Sequence, residues 1–346
     1  MSTSTRIRRL AARAPLAITL ALATCVPMQA QTRLPDPLPS WNEGPTKAAI
    51  LDFVRRVTTE GGADFVPAED RIATFDNDGT LWSEKALPTE VYFVLARVRE
   101  LAASDPSLRQ RQPFKAALEG DTAYFHEAGA SAIAQLLAAT HGGMTQEAFA
   151  TEVERFLDTG IHPTLGRPYT ATAYPPMLEL LAYLGANGFQ TWISSGGTLD
   201  FIRVFAPRVY GIPSERTIGS EISRESRRVG GRLVVWRLGK IEQVNDKEGK
   251  PVGIDRHIGK RPVFVAGNVM SGGDVAMMEY SRGRRGPSFQ LLVNHDDAVR
   301  EFAYAEKDGA SLRAAATNGF TVVSMKNDWR VIFAEPAPPT RAAIRE

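Results

Sequence analysis

Phe75-Asp76-Asn77-Asp78-Gly79-Thr80-Leu81 closes a short apolar run, Ile72 to Phe75, and the rest of the chain is best read outward from it. Asp-Asn-Asp-Gly is turn chemistry, so a buried strand ends where two carboxylates begin. Two acids that flank a single residue in such a turn can be aimed at one point. Phosphoryl transfer needs a nucleophile, a charge neutraliser and a proton donor. Asp76 suits the first role: its carboxylate can attack phosphorus and form an aspartyl-phosphate. Asp78 suits the last: it can protonate the leaving oxygen and then deprotonate the water that hydrolyses the intermediate. A like charge nearby raises the pKa of one acid of the pair and keeps a proton available. A calcium loop would need further oxygen ligands over roughly twelve residues and a terminal Glu, and Leu81 and Trp82 break that pattern.

Three more apolar runs end in polar or glycine residues. Phe189 to Ile193 ends in Ser194-Ser195-Gly196-Gly197, Val263 to Ala266 in Gly267-Asn268, and Phe289 to Val293 in Asn294-His295-Asp296-Asp297. In a parallel sheet those ends line the ligand crevice. Helical patterns separate the runs. Met177, Leu180, Leu181 and Leu184 recur at helical spacing between Pro176 and Gly188, and Phe201, Ile202 and Phe205 form another apolar face. The alternation predicts a doubly wound, Rossmann-like parallel α/β core.

Residues 86–174 read differently. Val91, Val94, Leu95 and Val98 mark one amphipathic helix; Ile133, Leu136 and Leu137 a second, stopped by Gly142-Gly143; Phe149, Val153 and Phe156 a third, stopped by Gly160. No strand signal interrupts them. We expect a helical cap at 86–174 inserted into a core of residues 31–85 and 175–346. A β-hairpin is expected around Val229 to Trp236, where Gly230-Gly231 separates apolar runs.

The DNDGTL segment resembles the DxDGT signature of the haloacid dehalogenase superfamily, and the SGG and GKPVGI segments resemble its phosphoserine-phosphatase-like branch. The likeness spans about residues 40 to 335. It implies that Asp76 is the nucleophile and Asp78 the acid/base, with the Asp78 backbone carbonyl also binding Mg²⁺. A hydroxyl at a strand end followed by glycines can bind a phosphoryl oxygen, and the glycines let backbone N–H groups approach the same anion. The family places its hydroxyl directly before the Gly pair, which implies Ser195 and Gly196. It also has a lysine that offsets the phosphoryl charge. Lys247 and Lys250 are both candidates, and Lys250, before Pro251, matches the family's placement better. The fourth motif of the family supplies acidic metal ligands. Here it reads Gly267-Asn268-Val269-Met270-Ser271-Gly272-Gly273-Asp274, two residues longer than the related GNSDGD and without its middle acid. Asp274 is expected as the main acidic anchor, Asn268 as a weaker partner. A helix-capping role for Asp274, before Val275 to Met278, stands as the alternative. His126, His141 and His162 lack metal-ligand spacing, and His257 and His295 stand alone.

The N-terminus reads as a signal peptide. Arg6, Arg8, Arg9 and Arg13 precede an apolar stretch from about Ala14 to Val26, too short to span a bilayer comfortably. Cleavage after Ala30 is expected, with a lipoprotein at Cys25, within Leu22-Ala23-Thr24-Cys25, as the alternative. The 346-residue chain carries 41 Lys and Arg against 39 Asp and Glu. Losing four arginines with residues 1–30 leaves the mature chain slightly acidic, which favours neither nucleic acid nor an anionic membrane. Cys25 is the single cysteine, so the mature chain would hold no disulfide.

Together these features lead us to expect a periplasmic or secreted, Mg²⁺-dependent phosphomonoester hydrolase acting on a small phosphorylated metabolite, with no membrane insertion after cleavage. Two alternatives stay open: a binding protein of the same fold with little or no catalysis, favoured by the altered fourth motif, and a dehalogenase, disfavoured by Asp78.

Overall fold

Ile72 to Phe75 are all buried, and the strand they form, β1 (Ile72–Phe75), lies inside the sheet with a parallel neighbour on each side. A computed structural model describes residues 1–3, 35–270 and 272–335. Apart from its first three residues, the expected signal segment lies outside the described residues, as do Cys25 and Ala30. The described residues from Pro37 to Glu335 belong to one compact unit.

Before β1 comes α1 (Pro45–Thr58), opened by a proline in its first turn. After β1 the chain runs through α2 (Thr89–Ser104), α3 (Phe114–Glu119), α4 (Thr122–His141), β2 (Met144–Thr145) and α5 (Gln146–Thr159). It returns through α6 (Pro175–Ala186), β3 (Gln190–Thr198) and α7 (Leu199–Tyr210) to a hairpin of β4 (Thr217–Val229) and β5 (Arg232–Gln243). Then follow α8 (Gly249–Ile258), β6 (Phe264–Asn268), α9 (Gly272–Arg282), β7 (Phe289–Asn294), α10 (Ala310–Asn318), β8 (Thr321–Ser324) and α11 (Met325–Asp328).

Among the described residues the strands form one sheet in the order β2-β5-β4-β3-β1-β6-β7-β8. From β4 to β8 the pairings are parallel; β5 and β2 are antiparallel additions at one edge. The two faces separate along each strand, as a period of two requires. Phe264 and Ala266 of β6, with Leu291 and Val293 of β7, join α1 and α6 in one buried cluster. The alternating Val265 and Leu292 face a second cluster with Ile254 of α8, Met277 and Met278 of α9 and Ala315 of α10. Helices therefore cover both faces, the doubly wound arrangement the sequence implies. Among the described residues no helix is long and apolar enough to cross a membrane.

Several elements differ from the sequence expectation. The 86–174 segment is helical, but Met144-Thr145 pairs with Trp236 and Arg237 as a two-residue strand, too short to leave a periodicity. Gly230 and Gly231 make the expected turn, with φ of 57° and 81°, the sign a two-residue hairpin of matching twist needs. The hairpin is far longer than Val229 to Trp236, because its outer residues face solvent and need no apolar alternation. The Ser194-Ser195-Gly196-Gly197 segment does not end β3. It continues to Thr198 through a register irregularity against β4. β8 leaves little signal, having only Val322 and Val323 as apolar residues.

Candidate active site

The site forms where β1 and β6 end beside β3, which runs on past them. Phe75 is in register with Ile193 on one side and Ala266 on the other, so Ser194, Asp76 and Gly267 come next on the three chains. Asp76 donates its backbone N–H to Ala266 O at 3.0 Å, which keeps it in the sheet direction for one more residue. Its side chain is buried against Lys250, whose Nζ lies 2.6 Å from Asp76 Oδ1. The same ammonium donates to Asp274 Oδ1. Burial works against the Lys250 charge, but Asp274 and Asp76 more than offset it and hold the amine above the ordinary lysine range. Burial and the Asp76 charge push the Asp274 carboxyl up, with Lys250 opposing. Lys247, the other lysine considered from sequence, is exposed on the loop before α8.

Asp274 lies in the first turn of α9, which begins at Gly272, three residues before the apolar stretch that starts at Val275. Its Oδ2 accepts the Asn268 backbone N–H at 2.8 Å. The two ends of the fourth motif are thereby closed on each other across the longer loop. A Cβ at Gly267 would lie 2.5 Å from the Asp274 Cβ, so this approach requires glycine.

Asn268 gathers oxygens. Its Nδ2 lies 2.8 Å from the Asp78 carbonyl, 3.3 Å from Asp76 Oδ2 and 3.4 Å from Thr80 Oγ1, while its Oδ1 accepts from Met270 N–H at 2.8 Å. A carboxylate, a carbonyl and a hydroxyl thus converge on one amide nitrogen. These are hard oxygen donors of the kind magnesium takes. They fit such a cation once the carboxamide turns aside or presents its oxygen. Among the described residues no group of three or more His, Cys, Asp or Glu side chains forms a ready cage, so backbone oxygen and water would complete the shell.

The Asp78 carboxylate meets Trp82, whose indole Nε1–H donates to Oδ1 at 2.8 Å. Burial first, and then the charge of Asp76, pushes the Asp78 carboxyl up to about 7, against the Trp82 hydrogen bond. The environment therefore supplies a carboxylic acid that still holds its proton near neutrality. Asn77 between the acids is pinned by the Tyr210 hydroxyl, which donates to Asn77 Oδ1 at 2.9 Å.

Ser195 is buried; its Oγ accepts Gly197 N–H at 3.1 Å, and its carbonyl accepts Asn245 Nδ2 at 3.0 Å. Gly196 lines the same cavity as Asp78. Asp76, Lys250, Asp274, Asn268 and the Asp78 carbonyl are joined directly by hydrogen bonds. Ser195 and Gly196 belong to the adjoining strand β3 and make no hydrogen bond to that group.

Sequence reasoning missed the support behind the turn. His295, read as standing alone, places Nε2 2.7 Å from the Gly79 carbonyl, and since that oxygen only accepts, Nε2 carries the proton. Its Nδ1 faces Glu301 Oε2 at 3.3 Å, and Glu301 accepts from Ser83 Oγ and Tyr174 OH. Glu84 is also close: a Cβ at Gly79 would lie 2.9 Å from Asn268 Nδ2 and 3.0 Å from Glu84 Cδ. The polar cluster after the fourth apolar run was the one sequence signal for His295.

A family model described as haloacid dehalogenase-like hydrolase matches residues 73–279, which span every residue of this site except the His295–Glu301 support. The chain belongs to the haloacid dehalogenase-like hydrolases. A solved protein of unknown function from Anaerococcus prevotii DSM 20548 is similar in fold, with a TM-score of 0.55 at 14% identity over 87% of this chain and 99% of that one. A protein of unknown function from Bordetella pertussis Tohama I aligns at 18% identity, TM-score 0.47, over 74% of this chain and 98% of its own. A phosphoserine phosphohydrolase-like protein from Francisella tularensis aligns at 16% identity, TM-score 0.40, over 73% and 94%. No curated protein matches the sequence.

Proposed function

We propose that this hydrolase is a Mg²⁺-dependent phosphomonoesterase working through an aspartyl-phosphate on Asp76. The observation that carries the proposal is the pairing of Asp76, held by Lys250 at 2.6 Å, with Asp78, a carboxyl pushed up to about 7 two residues away. One group is shaped to attack and the other to deliver a proton.

In the first half-reaction an Asp76 oxygen attacks phosphorus and the ester P–O bond breaks. The departing oxygen takes the Asp78 proton and leaves as an alcohol. In the second, the Asp78 carboxylate removes a proton from water as that water attacks phosphorus. The bond to Asp76 then breaks, releasing inorganic phosphate and restoring both aspartates. Lys250 neutralises charge on Asp76 and on the phosphoryl group, while Ser195 and Gly196 are proposed to meet phosphoryl oxygens. Asp76, the Asp78 carbonyl, Asn268 and Asp274 are the residues proposed to hold magnesium. Such a cation supplies charge neutralisation and alignment of the phosphoryl group.

Hydrolysis of p-nitrophenyl phosphate with and without magnesium tests this. Asp76→Asn is expected to fall to background while keeping the wild-type melting curve; retained turnover would overturn the nucleophile assignment. In the same assay Asp274→Asn and Asn268→Ala are titrated with magnesium. Both are expected to need more magnesium for half activity, Asp274→Asn the more of the two. An unchanged requirement in Asp274→Asn would mean that its part is to hold Lys250 and the Asn268 N–H.

A further inference from the structure

Asp78 stands at the inner wall of a cavity of about 560 Å³, together with Gly196 and Gly197. That is within the size range of small-molecule sites, roughly 300–1,000 Å³. The outer walls are apolar: α2 contributes Val91 and Leu95, α4 Ile133 and Leu137, the hairpin Ile222, and the loop after it Val244. Ile133 and Val244 are 50% and 57% exposed, although neither is needed to cover the core. Apolar side chains left wet around one hollow point to a ligand that covers them.

The polar part of the lining is equally informative. The ionisable groups that border the cavity, among the described residues, are Asp78 and Glu90, both acids. Glu90 is already engaged: it accepts the Thr198 N–H at 2.8 Å and the Thr198 hydroxyl, and it faces His141 Nε2 at 3.2 Å. Among the described residues no lysine, arginine or histidine lines the space to receive a carboxylate or a second phosphate. A leaving group with its own negative charge would be desolvated there beside two acids, without a counter-ion.

Building on the phosphatase assignment above, we propose that this cavity receives the leaving group and that the substrates are phosphomonoesters of uncharged, apolar alcohols or phenols. The ester oxygen then lies at Asp78, which donates to it. The carbon skeleton lies between α2, α4 and the hairpin, and the phosphoryl group reaches Asp76. Closure of apolar walls around the skeleton also keeps water from the reacting bond.

The test uses the full chain with magnesium on ethyl, butyl, hexyl and octyl phosphate and on phosphoserine. Each methylene that enters the cavity is expected to raise kcat/KM by about fourfold until the space is filled. Phosphoserine is expected at or below ethyl phosphate. Ile133→Asp and Val91→Asp are expected to lower the octyl-to-ethyl ratio by about tenfold or more, and a ratio does not depend on the fraction of active enzyme. Fluorescence of the uncharged probe N-phenyl-1-naphthylamine, displaced by octanol, reads the cavity without turnover and is expected to weaken in both variants. Turnover with a flat ratio, or a preference for phosphoserine, overturns the inference and leaves the phosphatase assignment standing. If no ester is turned over while the probe binds, the phosphatase assignment falls, and the leaving-group role falls with it.

Discussion

Asp78 is caught between opposing influences, and the balance has a consequence for the metal-free protein. Burial and Asp76 raise its pKa to about 7, while the Trp82 N–H pulls the other way. An acid whose folded pKa lies above its unfolded value of about 3.9 is favoured by folding only in its protonated form. Its contribution is present in full below the unfolded pKa and is lost as pH rises through about 7. Asp78→Asn keeps an oxygen for Trp82 and has no proton to lose. In chelator, it is therefore expected to melt above wild type at pH 8 and level with it below pH 4. Equal melting temperatures across that range, followed by calorimetry, would refute the raised pKa. Both aspartates of this turn were legible because they sit two positions apart in one apolar-then-polar stretch. His295 and Glu301 were not, since their partners Gly79 and Ser83 lie more than two hundred residues away in the chain.

Arg237 ties several elements to one another. It is fully buried, stacks 3.9 Å above the Phe149 ring of α5, and pairs with the equally buried Asp200 of α7. It also donates to the His141 carbonyl at the end of α4 and to Gln146 Oε1. The hairpin is thus fastened to the helical insertion and to α7 by one guanidinium. Asp200→Ala leaves that charge buried without its carboxylate, an expected loss on the order of 3–5 kcal/mol. The double variant Arg237→Met with Asp200→Leu is expected to recover much of it, because the unpaired charge is gone as well. Denaturant unfolding of the three proteins checks this, and an additive double variant would contradict it. From the sequence, Arg237 is one cation in a solvent-facing strand and Asp200 one acid in a helix, and no local pattern links them. The long amphipathic helices were readable, as each carries its own apolar period. The short strands β2 and β8 were not, because pairing with neighbours rather than internal pattern defines them.

At the scale of the whole molecule, two buried clusters on opposite faces of one parallel sheet make the crevice at the strand ends unavoidable, and the residues of the catalytic proposal collect there. The order of layers was legible from alternating runs and helices. The depth of the cavity between insertion and hairpin was not, since it depends on how far the hairpin reaches. Export is a property of the whole chain as well. We expect protein recovered from the native cell envelope to begin after Ala30, as intact mass would show. A chain still starting at Met1 or Ser2 would contradict cleavage, and a lipid on Cys25 would point to anchoring instead. Lys250, finally, places its own positive charge between Asp76 and Asp274. Two carboxylates that would otherwise repel across a buried gap have a counter-ion supplied from within the chain. On the proposed magnesium-dependent reading, folding is consequently expected to need no metal, so that magnesium would govern when the protein works and not whether it survives.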